Sequence, residues 1–261
     1  MKNSSVKISL ILILGLSIIF GFKNIIYAAK SSGPTIIQYQ AKDGFNITGV
    51  LDLPSGSSIK KKVPLVIFLH SLGGSKLAWG NLPNSIKGLG FATLNLDLRG
   101  HGLSILDKRS KKKYWPNFKD TDFRKYPDDI NQGINYLKEN YPEINISKIA
   151  IVGADIGADT AILAGSKFSR NVKTLVLLSP TTLYKGLDTR VPLVGYGSHP
   201  VLIIVSESDR FSFNDSKELI KYAQGKKAIK VYPFGGCGTD LLKFQPDSKS
   251  IIINWVKSSL N

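Results

Sequence analysis

Histidine is scarce in this chain, cysteine scarcer, and acid is outnumbered by base. The 261 residues hold three histidines and one cysteine, with 19 Asp plus Glu against 35 Lys plus Arg. One cysteine closes no intrachain disulfide, which excludes a disulfide-stapled scaffold. So few histidines and cysteines give no ligand spacing for a structural zinc site, and neither metal nor cofactor is expected. The acid deficit leaves a formal net charge of +16. No nucleic-acid motif or base-stacking pattern of aromatics accompanies it, so nucleic acid is not the expected partner. Hydrophobic residues at 43% and charged residues at 21% exclude a wholly disordered chain. The length suits one large domain or two small ones.

What is present begins with a basic start, MKNSSVK, followed by an apolar run from Ile8 to Phe22. Its 15 residues match a signal-peptide core and fall short of the roughly 20 that span a membrane. A cut after Ala28 or Ala29 is expected, giving a targeting segment over 1–28 and a domain over 29–261. Lys23, directly behind the core, keeps an uncleaved N-terminal anchor open as the alternative. Either way the protein is expected to be exported. Three of the basic residues, Lys2, Lys7 and Lys23, lie in the targeting segment, so the domain keeps +13. That charge is densest at Lys60–Lys62 and Lys108–Lys113. Such runs are read as solvated loops, with adhesion to an anionic membrane or cell-wall surface as their functional alternative.

Along the remaining chain apolar runs alternate with amphipathic segments. Ile36–Gln40 and Phe45–Leu53 read as a hairpin around Asp43-Gly44. Strands are predicted at Val63–His70, Phe91–Leu96, Lys148–Val152, Val172–Leu178, Val201–Val205 and Ala228–Tyr232. Helices are predicted at Leu77–Gly88, Pro127–Asn140, Ala158–Lys167, Ser216–Gln224 and Ser248–Leu260. This alternation predicts one α/β domain, a mainly parallel sheet with helices on both faces. Its chemistry belongs at the carboxyl ends of the strands. After the strand at Lys148–Val152 comes Gly153-Ala154-Asp155-Ile156-Gly157, a Gly-x-nucleophile-x-Gly turn into a helix. Its alternative is a plain Gly-rich turn.

From Thr35 onward the chain resembles the α/β-hydrolase superfamily, in particular small bacterial esterase-like and dienelactone-hydrolase-like proteins. Five pieces carry the resemblance: His70-Ser71-Leu72-Gly73-Gly74, Asp97–Ser104, Gly153–Gly157, Ser206–Asp209 and Gly235–Thr239. It implies a single-domain α/β-hydrolase fold with a small lid or none, and a nucleophile, an acid and a histidine after successive strands. Carried over, those positions are Asp155, Asp209 and Cys237, with the backbone of Leu72 and Ile156 as the oxyanion hole. Serine and histidine would be usual at the first and third positions, so the triad is degenerate. Aspartate is ionised without help, but the ester it formed would need a base to activate water. A thiol between carboxylates is a poor base.

Three histidines are available as substitutes. His199 sits at the amino end of its strand, roughly 17 Å from the crevice. His70 shapes the loop below the oxyanion hole. His101, in Arg99-Gly100-His101-Gly102, is the first choice for a rescue, against a structural hydrogen-bonding role. Leu183, Tyr184 and Trp115 are expected on the pocket walls. The insertion Ile105–Lys125 is expected at the rim, as a flexible loop or as the clamp of an acidic ligand. Three readings follow. The first is an exported hydrolase-fold protein with impaired or no catalysis that binds a small ester-like or acidic ligand. The second is an active ester hydrolase using Asp155 with His101 or Cys237. The third is a basic protein adhering to anionic surface polymers.

Overall fold

The structure, a computed structural model, describes residues 33–261. The targeting segment expected over 1–28 lies outside them. Strand β3 (Val63–Leu69) explains most of the architecture. Its residues Leu65 to Phe68 are fully buried, as a continuous apolar run requires when both faces are covered. Leu65, Ile67 and Leu69 pack into one core, while Val66 and Phe68 pack into the other. Each side chain withdrawn from water in this way contributes about 1.5–3 kcal/mol.

Around β3 lie β1 (Thr35–Gln40), β2 (Asn46–Asp52), β4 (Ala92–Leu96), β5 (Ile144–Ala154) and β6 (Val172–Leu178). A two-residue hairpin follows, β7 (Leu183–Tyr184) with β8 (Leu187–Asp188), and then β9 (Val201–Ser206) and β10 (Lys227–Tyr232). The main sheet has eight strands in the order β1-β2-β4-β3-β5-β6-β9-β10. β2 is antiparallel to both β1 and β4, and the rest are parallel. The helices are α1 (Leu82–Lys87), α2 (Asp120–Phe123), α3 (Tyr126–Asn140), α4 (Ile156–Lys167), α5 (Arg190–Gly195), α6 (Arg210–Tyr222), α7 (Leu241–Phe244) and α8 (Asp247–Leu260). They cover both faces, so the expected fold class is borne out. Among the described residues no helix is long and apolar enough to cross a membrane.

Two helices depart from their predicted bounds. α6 starts at Arg210, six residues before the predicted Ser216, because the Asp209 carboxylate accepts the Ser212 N–H (3.3 Å) and caps it there. The helix predicted over 77–88 is broken into a short 3-10 turn, Lys76–Trp79, and α1. Gly80 between them has φ +54°, outside helical space.

The sequence leaves β3 for β4 on one side and later returns to β5 on the other. A crevice opens where that order reverses, beyond the carboxyl ends of β3 and β5. Register places Leu69 beside Gly153 and Ala154 beside Leu178. The loops after β3, β5 and β6 therefore meet at that point.

Candidate active site

The turn from β5 into α4 puts Asp155 at φ +52°, ψ −123°, a conformation that L-residues rarely hold. Neighbouring contacts enforce it. The Asp155 N–H donates to the Leu178 carbonyl (2.8 Å), and its own carbonyl accepts the Ala158 N–H (2.8 Å). Glycine is obligatory on either side: a Cβ at Gly153 would collide with the Gly157 carbonyl, and one at Gly157 with the Leu69 carbonyl. The backbone is thus a strand-to-helix elbow that presents its middle side chain at the top of the sheet.

The Asp155 carboxylate accepts the Leu72 N–H through Oδ2 (3.0 Å), and the nearby Ile156 N–H also favours its charged form. The two donors expected to form an oxyanion hole converge, and an aspartate oxygen lies against them. Burial raises the Asp155 pKa, the two N–H groups oppose it, and Asp209 adds a repulsive charge. The Cys237 thiol is driven up as well, first by the burial of its sulfur, although the residue as a whole is exposed, then by the charges of Asp155 and Asp209. All three triad-equivalent side chains thus act on one another. Asp209 caps α6 through Oδ1, while its buried Oδ2 makes no hydrogen bond of ordinary length.

A match to the alpha/beta hydrolase fold family spans residues 64–194, from β3 through the elbow to α5. The chain belongs to the α/β-hydrolase family. The resemblance carried by the five strand-end pieces is borne out at that level. The chain is also 27% identical over 161 residues to dipeptidyl peptidase 8 from Mus musculus, covering 60% of this chain and 18% of that protein. It therefore spans under a fifth of the length of the curated relatives it matches. Among solved structures, an acetyl xylan esterase from Paenibacillus sp. R4 superposes with a TM-score of 0.71 at 16% identity, covering 90% of this chain and 86% of that one. A dienelactone hydrolase from Anabaena variabilis gives 0.63 at 17% identity, covering 87% and 96%. At such identities the likeness is one of fold.

The histidines of this α/β-hydrolase are built into loops. His70 Nε2 accepts the Leu98 N–H (3.0 Å), so Nδ1 carries the proton and donates to the Ser71 carbonyl (2.8 Å). Burial lowers its pKa to about 4, which keeps it neutral. His101 Nε2 accepts the Gly73 N–H (3.0 Å), and Nδ1 donates to the Arg99 carbonyl (3.1 Å). Both nitrogens are therefore engaged, and His101 has no free lone pair for a proton. Its ring stacks on Trp115 (centroids 5.6 Å apart, planes 3° apart), which fixes the loop carrying Leu72 from behind. His199 contacts Tyr196 and precedes β9, at the far end of the sheet.

Of the expected wall residues, Trp115 pads the oxyanion loop through His101 and lies next to Gly73. Tyr184 belongs to the site, its phenol driven up by burial and then by Asp155 and Cys237. Leu183 is 52% exposed and turned outward, since neighbours on a strand face opposite ways. The segment 179–200 is a small lid holding the β7–β8 hairpin and α5.

Sequence reasoning missed three contributors. Ser179 follows β6 with φ +52°, and its Oγ accepts the Gly238 N–H (2.9 Å). Ser71 Oγ accepts the Thr239 N–H (3.3 Å). Together they press the last loop onto the elbow, where a Cβ at Gly238 would lie 3.3 Å from the Asp155 Cβ. Asp159, one helical turn beyond Asp155, holds Thr181 through its N–H (2.8 Å) and hydroxyl (2.5 Å) and anchors the lid. An aspartate in the otherwise apolar Ile156–Ala164 stretch and a serine directly at a strand end were the signals available. Among the described residues no group of three or more His, Cys, Asp or Glu is placed to hold a metal.

Proposed function

We propose that this α/β-hydrolase is an exported protein that has given up triad hydrolysis and acts by binding a small ester-like molecule. The supporting observation is the position of the Asp155 carboxylate, which accepts the Leu72 N–H and lies by the Ile156 N–H. In ester hydrolysis those donors must stabilise charge on the substrate oxygen, an effect usually among the largest in the mechanism. An anion already seated there repels a second one.

The absence of a base supports the same reading. A covalent ester on Asp155 would break down only if a group took a proton from water. Cys237 is held protonated by burial and by two carboxylates. His101 has both nitrogens occupied. An attacking Asp155 would also have to leave the Leu72 N–H.

The test is hydrolysis of short-chain aryl esters by the purified chain, together with intact-mass spectrometry after mixing with ester and haloalkane. Neither turnover above buffer nor an adduct is expected. Turnover abolished by Asp155→Ala, or an adduct mapped to Asp155, would sink the reading and favour an active hydrolase.

A further inference from the structure

At the same end of the sheet, toward its β1–β2–β4 edge, lies a cavity of about 440 Å³. Its buried side is the Arg99 side chain, 4% exposed, and the rings of Phe45 and Phe118 line it. Tyr114, Lys112 and Lys113 line it from the exposed side.

The insertion over 105–125 is not a loose loop here. Lys112 pairs with Leu106 in an antiparallel bridge, and the Lys113 N–H donates to the Ile105 carbonyl (2.7 Å). The Asp107 carboxylate closes the turn by accepting from the N–H groups of Arg109 (2.8 Å) and Lys111 (3.0 Å). Sequence reading expected a flexible loop, and this carboxylate is the reason for the order.

The carboxylates around the cavity already have partners. Asp43 receives two Arg99 nitrogens (2.7 and 3.0 Å), and Lys125 lies 3.2 Å from it. Asp122 accepts the Lys119 N–H (3.1 Å) and faces Lys125 at 3.7 Å. Neither Lys112 nor Lys113 makes an ion pair within 4 Å among the described residues, and Lys113 acts on Asp107 only from further away. Asp107 also lines the cavity, but its carboxylate is turned to the two N–H groups, so two ammonium groups without a close ion pair stand on an ordered backbone beside aromatic rings.

We propose that this cavity binds a small organic anion, a molecule with one carboxylate or phosphate and a flat apolar body. The ammonium groups would take the anion and the rings the apolar part, with the Asn117 amide in the same lining. The volume suits a small ligand. The cavity shares no lining residue with the elbow, so this inference stands or falls separately from the function proposed above.

The experiment titrates the full chain with phenyl phosphate, benzoate and neutral benzyl alcohol by calorimetry or NMR. Both anions should bind saturably and the alcohol should not, with affinity falling as salt rises. Lys112→Ala with Lys113→Ala should weaken binding by at least about tenfold. Lys108→Ala with Arg109→Ala, equal in charge but outside the lining, should leave it intact. Three results would overturn the proposal: no saturable binding, binding of the alcohol as tightly as the anions, or affinity that survives the double lysine change. Attachment to phosphatidylglycerol vesicles without binding of either small anion would also overturn it and make the lysines a surface-adhesion patch.

Discussion

Leu72 donates its backbone N–H to the Asp155 carboxylate across 3.0 Å, at the place where the proposed reading puts a substrate oxyanion. A serine hydroxyl at the same elbow ends one atom short of a carboxylate oxygen, so it would leave that donor free for substrate. On that reading one residue type at position 155 both supplies a charge and occupies the Leu72 donor that would stabilise one.

The first prediction reverses this. Asp155→Ser frees the Leu72 and Ile156 N–H groups, and Cys237→His places a base beside Asp209. The double variant should hydrolyse p-nitrophenyl acetate about 10²-fold faster than the parent, in line with what a positioned base contributes. Either single change should give far less. A folded but inert double variant would show that the roles of 155 and 237 are misassigned.

A second prediction concerns the thiol. Burial and the charges of Asp155 and Asp209 disfavour the thiolate of Cys237, although the residue is exposed overall. Its alkylation by iodoacetamide at about pH 8 should be slow compared with a free thiol. Asp209→Asn should speed it, because removing a negative neighbour lowers the thiol pKa. An unchanged rate would mean that the two side chains do not meet.

The third prediction is a pH dependence of stability. Burial raises the Asp155 pKa in the folded chain, so folding favours the protonated form. The stability this contributes is complete below the unfolded carboxylate pKa of about 4 and is lost as pH rises through the higher folded value. Asparagine keeps an acceptor for Leu72 and cannot ionise. Asp155→Asn should therefore gain in melting temperature over the parent between about pH 3.5 and about pH 7. A gap that is constant with pH would mean that burial does not penalise this charge.

A fourth prediction tests the ion-pair framework beside the anion cavity. Arg99 binds Asp129 through Nε and Nη2 (2.8 and 2.6 Å) and Asp43 through Nη1 and the shared Nη2 (2.7 and 3.0 Å), and it lies over the Phe45 ring at 4.4 Å. Arg99→Met leaves the buried Asp129 unpaired and should cost about 3–5 kcal/mol in urea denaturation. Adding Asp129→Leu should recover much of the loss, because the penalty comes chiefly from the stranded charge. Recovery would be absent if Arg99 stabilised the chain only by packing.

Several features were legible without coordinates. The unbroken apolar run over β3 announced a strand covered on both faces, and glycines at 153 and 157 announced a tight elbow. The start of α6 was not legible, because Asp209 and the polar residues after it compete as caps and only the fold chose Asp209. Nor was the role of His101, since a histidine in a loop looks the same whether its nitrogens are free or satisfied. The basic run at 108–113 read as solvated charge, which its lysines are, but its hairpin depended on one aspartate folding back onto two N–H groups.

By itself the sequence determined which residues stand at the ends of the strands: aspartate at the elbow, a second aspartate later, and the lone cysteine where a histidine would be usual. The residue types follow from chain order, the strands from their periodicity, and the expectation of a histidine at 237 from the resemblance to the hydrolase family. The tertiary structure alone decided what the residues do to one another. Leu72 and Asp155 are 83 positions apart, and Asp155 and Cys237 are 82 apart. Only the reversal of strand order between β4 and β5 brings such distant loops to one point. Hydrogen bonds and charge repulsion act through space over a few ångströms, so the contact of the Leu72 N–H with the Asp155 carboxylate was invisible until that reversal was in place.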